Sequence, residues 1–152
     1  MPVVYRIVKA RHARAAFSGE GARIAGGRWN RPGDPVIYAS ASLALAAIET
    51  FIHLGEEGLH IRFVYFRVEI PEDLPIERCR RPPPGWRAEP PHEASMRYGS
   101  GWARRGRTAV LEVPSVIVPS EKNYLLNPRH PDFARIRIGR ATGFVFDPRL
   151  WK

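Results

Sequence analysis

Glu49 places a carboxylate in the middle of the otherwise apolar run LALAAIETFIHL. If that run is helical, positions i−4 and i+3 put it beside Leu45 and Ile52, on a stripe expected to face the core. A carboxylate there is costly unless a cation pairs with it or it lines a cleft. The plainer account, a glutamate at the edge of the stripe that reaches solvent or bridges to an arginine, stays open. Upstream, Gly26-Gly27-Arg28-Trp29-Asn30 sets a guanidinium and an aromatic plane directly after two glycines. Backbone without side chains lets a ligand approach, arginine clamps phosphate, and tryptophan supports a ring or excludes water. A turn with a tryptophan plugging the core would use the same residues. Tyr38 ends a short apolar run, so its phenol stands either at a cleft mouth or half-buried in a sheet. Pro114-Ser115 separates two strand-like runs, where bent backbone can aim a hydroxyl at a ligand. Neither a GxSxG elbow nor a Ser-His-acid set surrounds Ser115, which excludes it as an acyl-transfer nucleophile and leaves a hydrogen-bonding role. The stretch NYLLNPRHP at 123–131 packs amides, a phenol, an arginine and an imidazole together, although Asn and Pro are also ordinary turn residues.

Other chemistries find less support. Glu49 and His53 share an i, i+4 face, but ETFIH is not HExxH, and the five histidines are scattered, so no metal is expected. The GxxxxGK[ST] phosphate loop is absent, and Gly19-x-Gly21 lacks the spacing of a dinucleotide fingerprint. The net charge of +9 rests on 24 basic residues, of which only Lys9, Lys122 and Lys152 are lysine. Such a surface favours nucleic acid, a phosphate-bearing small molecule or an acidic protein, and charge by itself does not choose among them. No recognition-helix, zinc-finger, RNP or basic-zipper signature supports nucleic acid, and the arginines are spread along the chain.

The elements that must hold these residues read as follows. Residues 3–8 alternate as a strand and lead into a short basic helix at 10–16. A glycine-rich passage covers 18–33, and 36–39 is a short strand. Ser40 or Ser42 caps the helix carrying Glu49, which stops at Gly55. Residues 61–70 form a strand with Phe63, Tyr65 and Arg67 on one face and Val64, Phe66 and Val68 on the other. Residues 71–91 are proline-rich, with Pro82-Pro83-Pro84, and read as an irregular surface crossing. A helix over 92–104 is loosened by Gly99 and Gly101. Residues 108–113 and 116–118 are strands, 121–131 a polar loop, and 142–147 a last strand. The order lacks strict βαβ alternation, so the expected fold is α+β with a mixed, mainly antiparallel sheet.

At 152 residues the chain suits a single domain, residues 1–152, with one pocket. Hydrophobic residues at 44% and charged residues at 26% exclude a disordered or fibrous class. No apolar run approaches the roughly 18 residues of a membrane span. The N-terminus lacks the pattern of a signal peptide, and Cys79 is alone, which together predict a cytoplasmic protein without disulfides.

Taken in order, YRI at 5–7, GGRWN at 26–30, VIYAS at 36–40 with LALAAIE at 43–49, VPSVIVPSEKNYLLNPRHPDF at 113–133 and FDPRLW at 146–151 resemble the RES-domain toxin family. The resemblance spans nearly the whole chain. It implies a fold like that of ADP-ribosyltransferases and an enzyme that degrades NAD at the nicotinamide–ribose bond, by hydrolysis or phosphorolysis. Transfer of ADP-ribose to a protein is the alternative, and a nucleic-acid module without catalysis a more distant one. It places the family's arginine, glutamate and serine on Arg28, Glu49 and Ser115, with Tyr38 as a further site residue. Trp29, Asn30, Asn123 and Tyr124 match family sequence without an assigned role, and Arg6 is an alternative or additional arginine of the cleft. In the chemistry so implied, Glu49 stabilises positive charge near C1′ and Arg28 holds the pyrophosphate. Tyr38 flanks nicotinamide, and Ser115 orients its ribose. The partners implied are NAD as substrate, inorganic phosphate, an Xre-type antitoxin through which alone DNA is met, and a second copy of the chain. No membrane partner is expected.

Overall fold

In the computed structural model, which describes residues 2–152, eight strands form a single sheet. The strands are β1 (Val3–Lys9), β2 (Ile37–Ser40), β3 (Phe63–Glu69), β4 (Ile76–Arg78), β5 (Val110–Pro114), β6 (Lys122–Leu126), β7 (Arg137–Ile138) and β8 (Thr142–Phe144). Their order is β4-β5-β6-β2-β1-β3-β7, with β8 also pairing with β3. Every pairing is antiparallel except β4 with β5. The α-helices are α1 (Glu20–Ala25), α2 (Leu43–Phe51) and α3 (Glu93–Arg105). This is the expected α+β class with a mixed, mainly antiparallel sheet.

Register sorts the side chains onto two faces, because residues opposite each other in neighbouring strands point the same way. Ile37, Ala39, Val4, Phe66, Val68, Val110 and Leu126 form the core of one face, covered by the 3-10 turn Ala10–Ala15 and the segment around Phe133. The other face carries two clusters. Trp29, Val36, Leu111, Val113 and Leu125 pack under α3 through Trp102, and Ile7 and Phe63 pack under α2 with Phe146. The expected split of β3, with Phe63, Tyr65 and Arg67 opposite Val64, Phe66 and Val68, is what the register with β1 gives.

Several local expectations are corrected. The glycine-rich passage contains α1, which starts at a left-handed Gly19 and ends at Gly26. A short strand, β4, lies inside the proline-rich stretch and pairs with β5 through Ile76 opposite Val110. Residues 116–118 are a turn, since the Ser115 hydroxyl accepts from the N–H groups of Ile117 and Val118 and pulls the chain around. The supposed loop at 121–131 holds β6, an interior strand between β5 and β2. Its Leu125 and Leu126 are fully buried on opposite faces, a pattern that polar neighbours on either side conceal. Finally, α3 runs unbroken through Gly99 and Gly101. Gly99 is a contact and not a weakness, because a Cβ there would overlap the Trp29 carbonyl oxygen. Among the described residues no helix is long and apolar enough to cross a membrane.

Candidate active site

The helix α2 is capped by Ser42, whose hydroxyl accepts from the Leu45 N–H at 3.0 Å. The competing cap, Ser40, has another use. It lies on β2 directly opposite Asn123 of β6, and its hydroxyl donates to Asn123 Oδ1 at 2.6 Å. That contact turns the amide so that Asn123 Nδ2 donates to Glu49 Oε2. The Ser115 hydroxyl donates to the same oxygen at 2.8 Å. Ser115 is fully buried, and its own N–H is tied to the Glu121 carbonyl at 2.9 Å. Three distant segments thus converge on one half-buried carboxylate. Of the two arrangements expected for Glu49, a paired cation or a place lining a cleft, no ion pair forms among the described residues, and two donors from neutral groups hold the carboxylate instead. Nor is its stripe all core, for Leu45 is buried but Ile52 is 53% exposed.

Arg28, Trp29, Asn30 and Tyr38 make a second cluster. The Tyr38 hydroxyl donates to Asn30 Oδ1 at 2.6 Å and accepts from the Trp29 N–H at 3.1 Å. Burial raises the phenol well above the usual tyrosine value, so it stays protonated. Gly27 is required by this packing, because a Cβ would come within 2.7 Å of the Tyr38 oxygen. Asn30 is fully buried and donates to the carbonyls of Ala22 and Asp34, which fixes the loop's shape. Trp29 is buried against Trp86 and Tyr98. Arg28 is engaged as well: its guanidinium donates to the carbonyls of Trp86 at 2.8 Å and Ala88 at 2.7 Å, and to Glu89 Oε2 at 2.9 Å.

The two clusters share a sheet face. Tyr38 and Ser40 are alternate residues of β2, so their side chains leave the same face about 6.6 Å apart along the strand. The segment 82–91 spans both clusters, since it is fastened to Arg28 and Arg87 donates to the Val116 carbonyl beside Ser115. Arg6 and Tyr124 lie on the opposite face, Arg6 paired with Phe66 and Tyr124 with Ala39. Arg6 donates to the carbonyls of Ala16 and Tyr38, and burial lowers its pKa to about 10, which leaves it charged at neutral pH. Tyr124 donates to Glu112 at 2.8 Å. Of the residues singled out from sequence, Glu49, Ser115 and Asn123 meet directly, and Arg28, Trp29, Asn30 and Tyr38 form the adjoining wall. Ser40 was passed over as a cap, and only the pairing of β2 with β6 gives it away. Among the described residues no group of three or more His, Cys, Asp or Glu side chains gathers as a metal-binding cluster.

A carboxylate with one oxygen anchored by two donors has its orientation fixed, while Oε1 carries no hydrogen bond among the described residues and can face a ligand. It can stabilise developing positive charge or polarise a hydroxyl, and it needs no covalent step.

Comparison with known proteins agrees with this architecture. The RES domain family matches residues 3–147. A protein of Sphingobium sp. named Prs ADP-ribosylating toxin is 44% identical over 88% of this chain and 86% of its own. Toxin Res of Yersinia enterocolitica is 36% identical over 97% of this chain and 99% of its own. Among solved structures, a chain of the M. tuberculosis MbcT–MbcA toxin–antitoxin complex superposes with a TM-score of 0.76 at 19% identity, covering 98% of this chain and 86% of that one. A fold held in common, relatives aligned almost end to end and a family match over nearly every residue lead to one conclusion: this chain belongs to the RES-domain family.

Proposed function

We propose that the protein is the toxin of a toxin–antitoxin pair and that it consumes NAD by breaking the bond between nicotinamide and ribose. The observation that carries this reading is Glu49, anchored through one oxygen by Ser115 and Asn123, the other having no hydrogen bond among the described residues. Cleavage sends the bonding electron pair to nicotinamide and leaves positive charge on the ribose at C1′. The positive charge that sits on the nicotinamide ring before cleavage moves to the ribose as the bond breaks, and a fixed carboxylate beside C1′ and the 2′-hydroxyl is stronger against it there. Ser115 and Asn123 hold the carboxylate still, Tyr38 walls the nicotinamide side, and water or inorganic phosphate takes the C1′ position. Arg28 reaches the pyrophosphate by exchanging Glu89 for phosphate oxygens, a swap between two anions that a guanidinium accommodates.

Names of similar proteins supply the biological setting. The Yersinia relative is called a toxin, and the structural neighbour comes from a toxin–antitoxin complex. The partner proposed here is an Xre-type antitoxin, drawn to a surface of net charge +9 through acidic segments that would block the cleft. A second reading, transfer of ADP-ribose to a protein side chain, is favoured by the Sphingobium relative, named for ADP-ribosylation.

Purified protein incubated with NAD, with and without inorganic phosphate, is expected to release nicotinamide. Glu49→Gln is expected to slow release by about 10²–10³-fold, the usual effect of removing one preorganised charge-stabilising group. Absence of release by the wild-type protein in both buffers defeats the enzymatic reading. Product masses separate ADP-ribose, its phosphate ester and a modified protein.

A further inference from the structure

On the face of the sheet that carries Ser40 and Asn123, but beyond β1, lies an open cavity of about 620 Å³. Tyr5, Ser42, Tyr65, Arg67, Arg140 and Thr142 line it, and no carboxylate does. The register gathers them: Tyr5 stands opposite Arg67, and Tyr65 opposite Thr142. Glu49, Ser115 and Asn123 are not among its lining residues, and none of the residues named is hydrogen-bonded to them, so the proposed cleavage leaves this cavity without a role.

Its chemistry is specific. Arg140 is exposed at the rim with no ion pair or hydrogen bond among the described residues. Arg67 pairs with Glu69 through Nη1 and is approached by the Tyr5 hydroxyl, which leaves further N–H donors for a ligand. The Ser42 oxygen accepts from Leu45, so its proton remains available, and Thr142 adds a second hydroxyl. The first turn of α2 brings no acidic residue to oppose an anion. Beside these donors, the rings of Tyr5 and Tyr65 stand 6.4 Å apart at 50°. A planar carboxylate is satisfied by one guanidinium, whereas a phosphoryl group presents three acceptor oxygens and can use two guanidinium groups and the hydroxyls together. The volume lies within the range of small-molecule sites.

We propose that this cavity binds the phosphoryl group of a small molecule, with Arg140 and Arg67 as its cationic wall and the two tyrosine rings flanking whatever the phosphate is attached to. The site is separate from the Glu49 centre and stands whether or not the protein cleaves NAD.

Calorimetric titration with inorganic phosphate, AMP and adenosine tests it. Phosphate and AMP are expected to bind and adenosine not. Equal affinities mean that the phosphoryl group alone is recognised, and a tighter AMP means that the rings take the base; both support the site. Arg140→Gln, a rim change that cannot disturb the core, and Arg67→Gln should each weaken binding at least tenfold. Failure of both phosphate and AMP to bind overturns the proposal. So does adenosine binding as well as AMP, or undiminished affinity in both arginine variants.

Discussion

Neutral donors hold Glu49 in place, and each has a measurable weight. A hydrogen bond to a charged group contributes about 1.5–3 kcal/mol, so Asn123→Ala is expected to slow nicotinamide release roughly 10- to 100-fold, read in kcat more than in KM. Ser40 bonds to Asn123 and not to Glu49, so it acts by orienting the amide; Ser40→Ala should cost about 0.5–1.5 kcal/mol, roughly 2- to 10-fold. Unchanged kcat in both variants would separate the network from catalysis. Tyr124, on the far face, reports on stability instead. Burial, then its bond to Glu112, pushes its pKa up to about 12. A raised folded value means that the folded protein keeps the proton longer than the unfolded chain. The contribution is therefore whole below the ordinary tyrosine value near ~10 and is lost as pH rises through about 12. Circular dichroism of alkaline unfolding should show Tyr124→Phe with a shallower pH dependence in that window, and an unaltered slope would contradict the assignment.

At the scale of elements, α3 carries two glycines with opposite consequences. Ala at 99 drives a methyl into the Trp29 carbonyl, so α3 must move away from the loop that presents Arg28. Overpacking of this kind costs about 1–3 kcal/mol or more, and a fall in Tm should accompany it. At Gly101 the nearest atom is Arg105 Nη1 at 3.2 Å, the end of a flexible side chain. There Gly101→Ala should raise stability by up to about 1 kcal/mol through helix propensity. Thermal unfolding of the pair distinguishes a contact glycine from a tolerated one, and equal shifts would remove the distinction. The same contrast explains why α3 was expected to be loosened: propensity counts both glycines alike, while packing sees only one. Similarly, β6 was hidden because KNYLL alternates poorly in polarity, Asn123 being polar on a buried face for the sake of Glu49.

Across the whole molecule, Arg28 ties the segment 82–91 over the face that holds both clusters. Lysine has neither the planar fork nor the reach to satisfy two carbonyls and a carboxylate together. Arg28→Lys should therefore free this segment as well as weaken the proposed NAD binding, and hydrogen exchange of the amides of residues 85–89 should rise while α2 and β6 remain protected. Exchange confined to wild-type levels would show that the segment is held by Trp86 against Trp29 and not by the arginine. The free face of the charge distribution also belongs to this scale: an antitoxin with acidic segments should associate faster at low ionic strength, with added salt slowing capture more than release.

The order of motifs along the chain determined the family and the α+β class and pointed to the candidate residues, because Glu49, Arg28 and Ser115 are conspicuous where they stand: a charge in an apolar helix, a guanidinium after paired glycines, a hydroxyl after a strand-ending proline. Which of them share a face was decided only by strand pairing. A one-residue step along β1 or β6 separates Tyr5 from Arg6 and Asn123 from Tyr124 onto opposite sides of the sheet. Composition along a strand carries no record of its partner's register, so the meeting of Ser40, Asn123, Ser115 and Glu49 exists only in three dimensions.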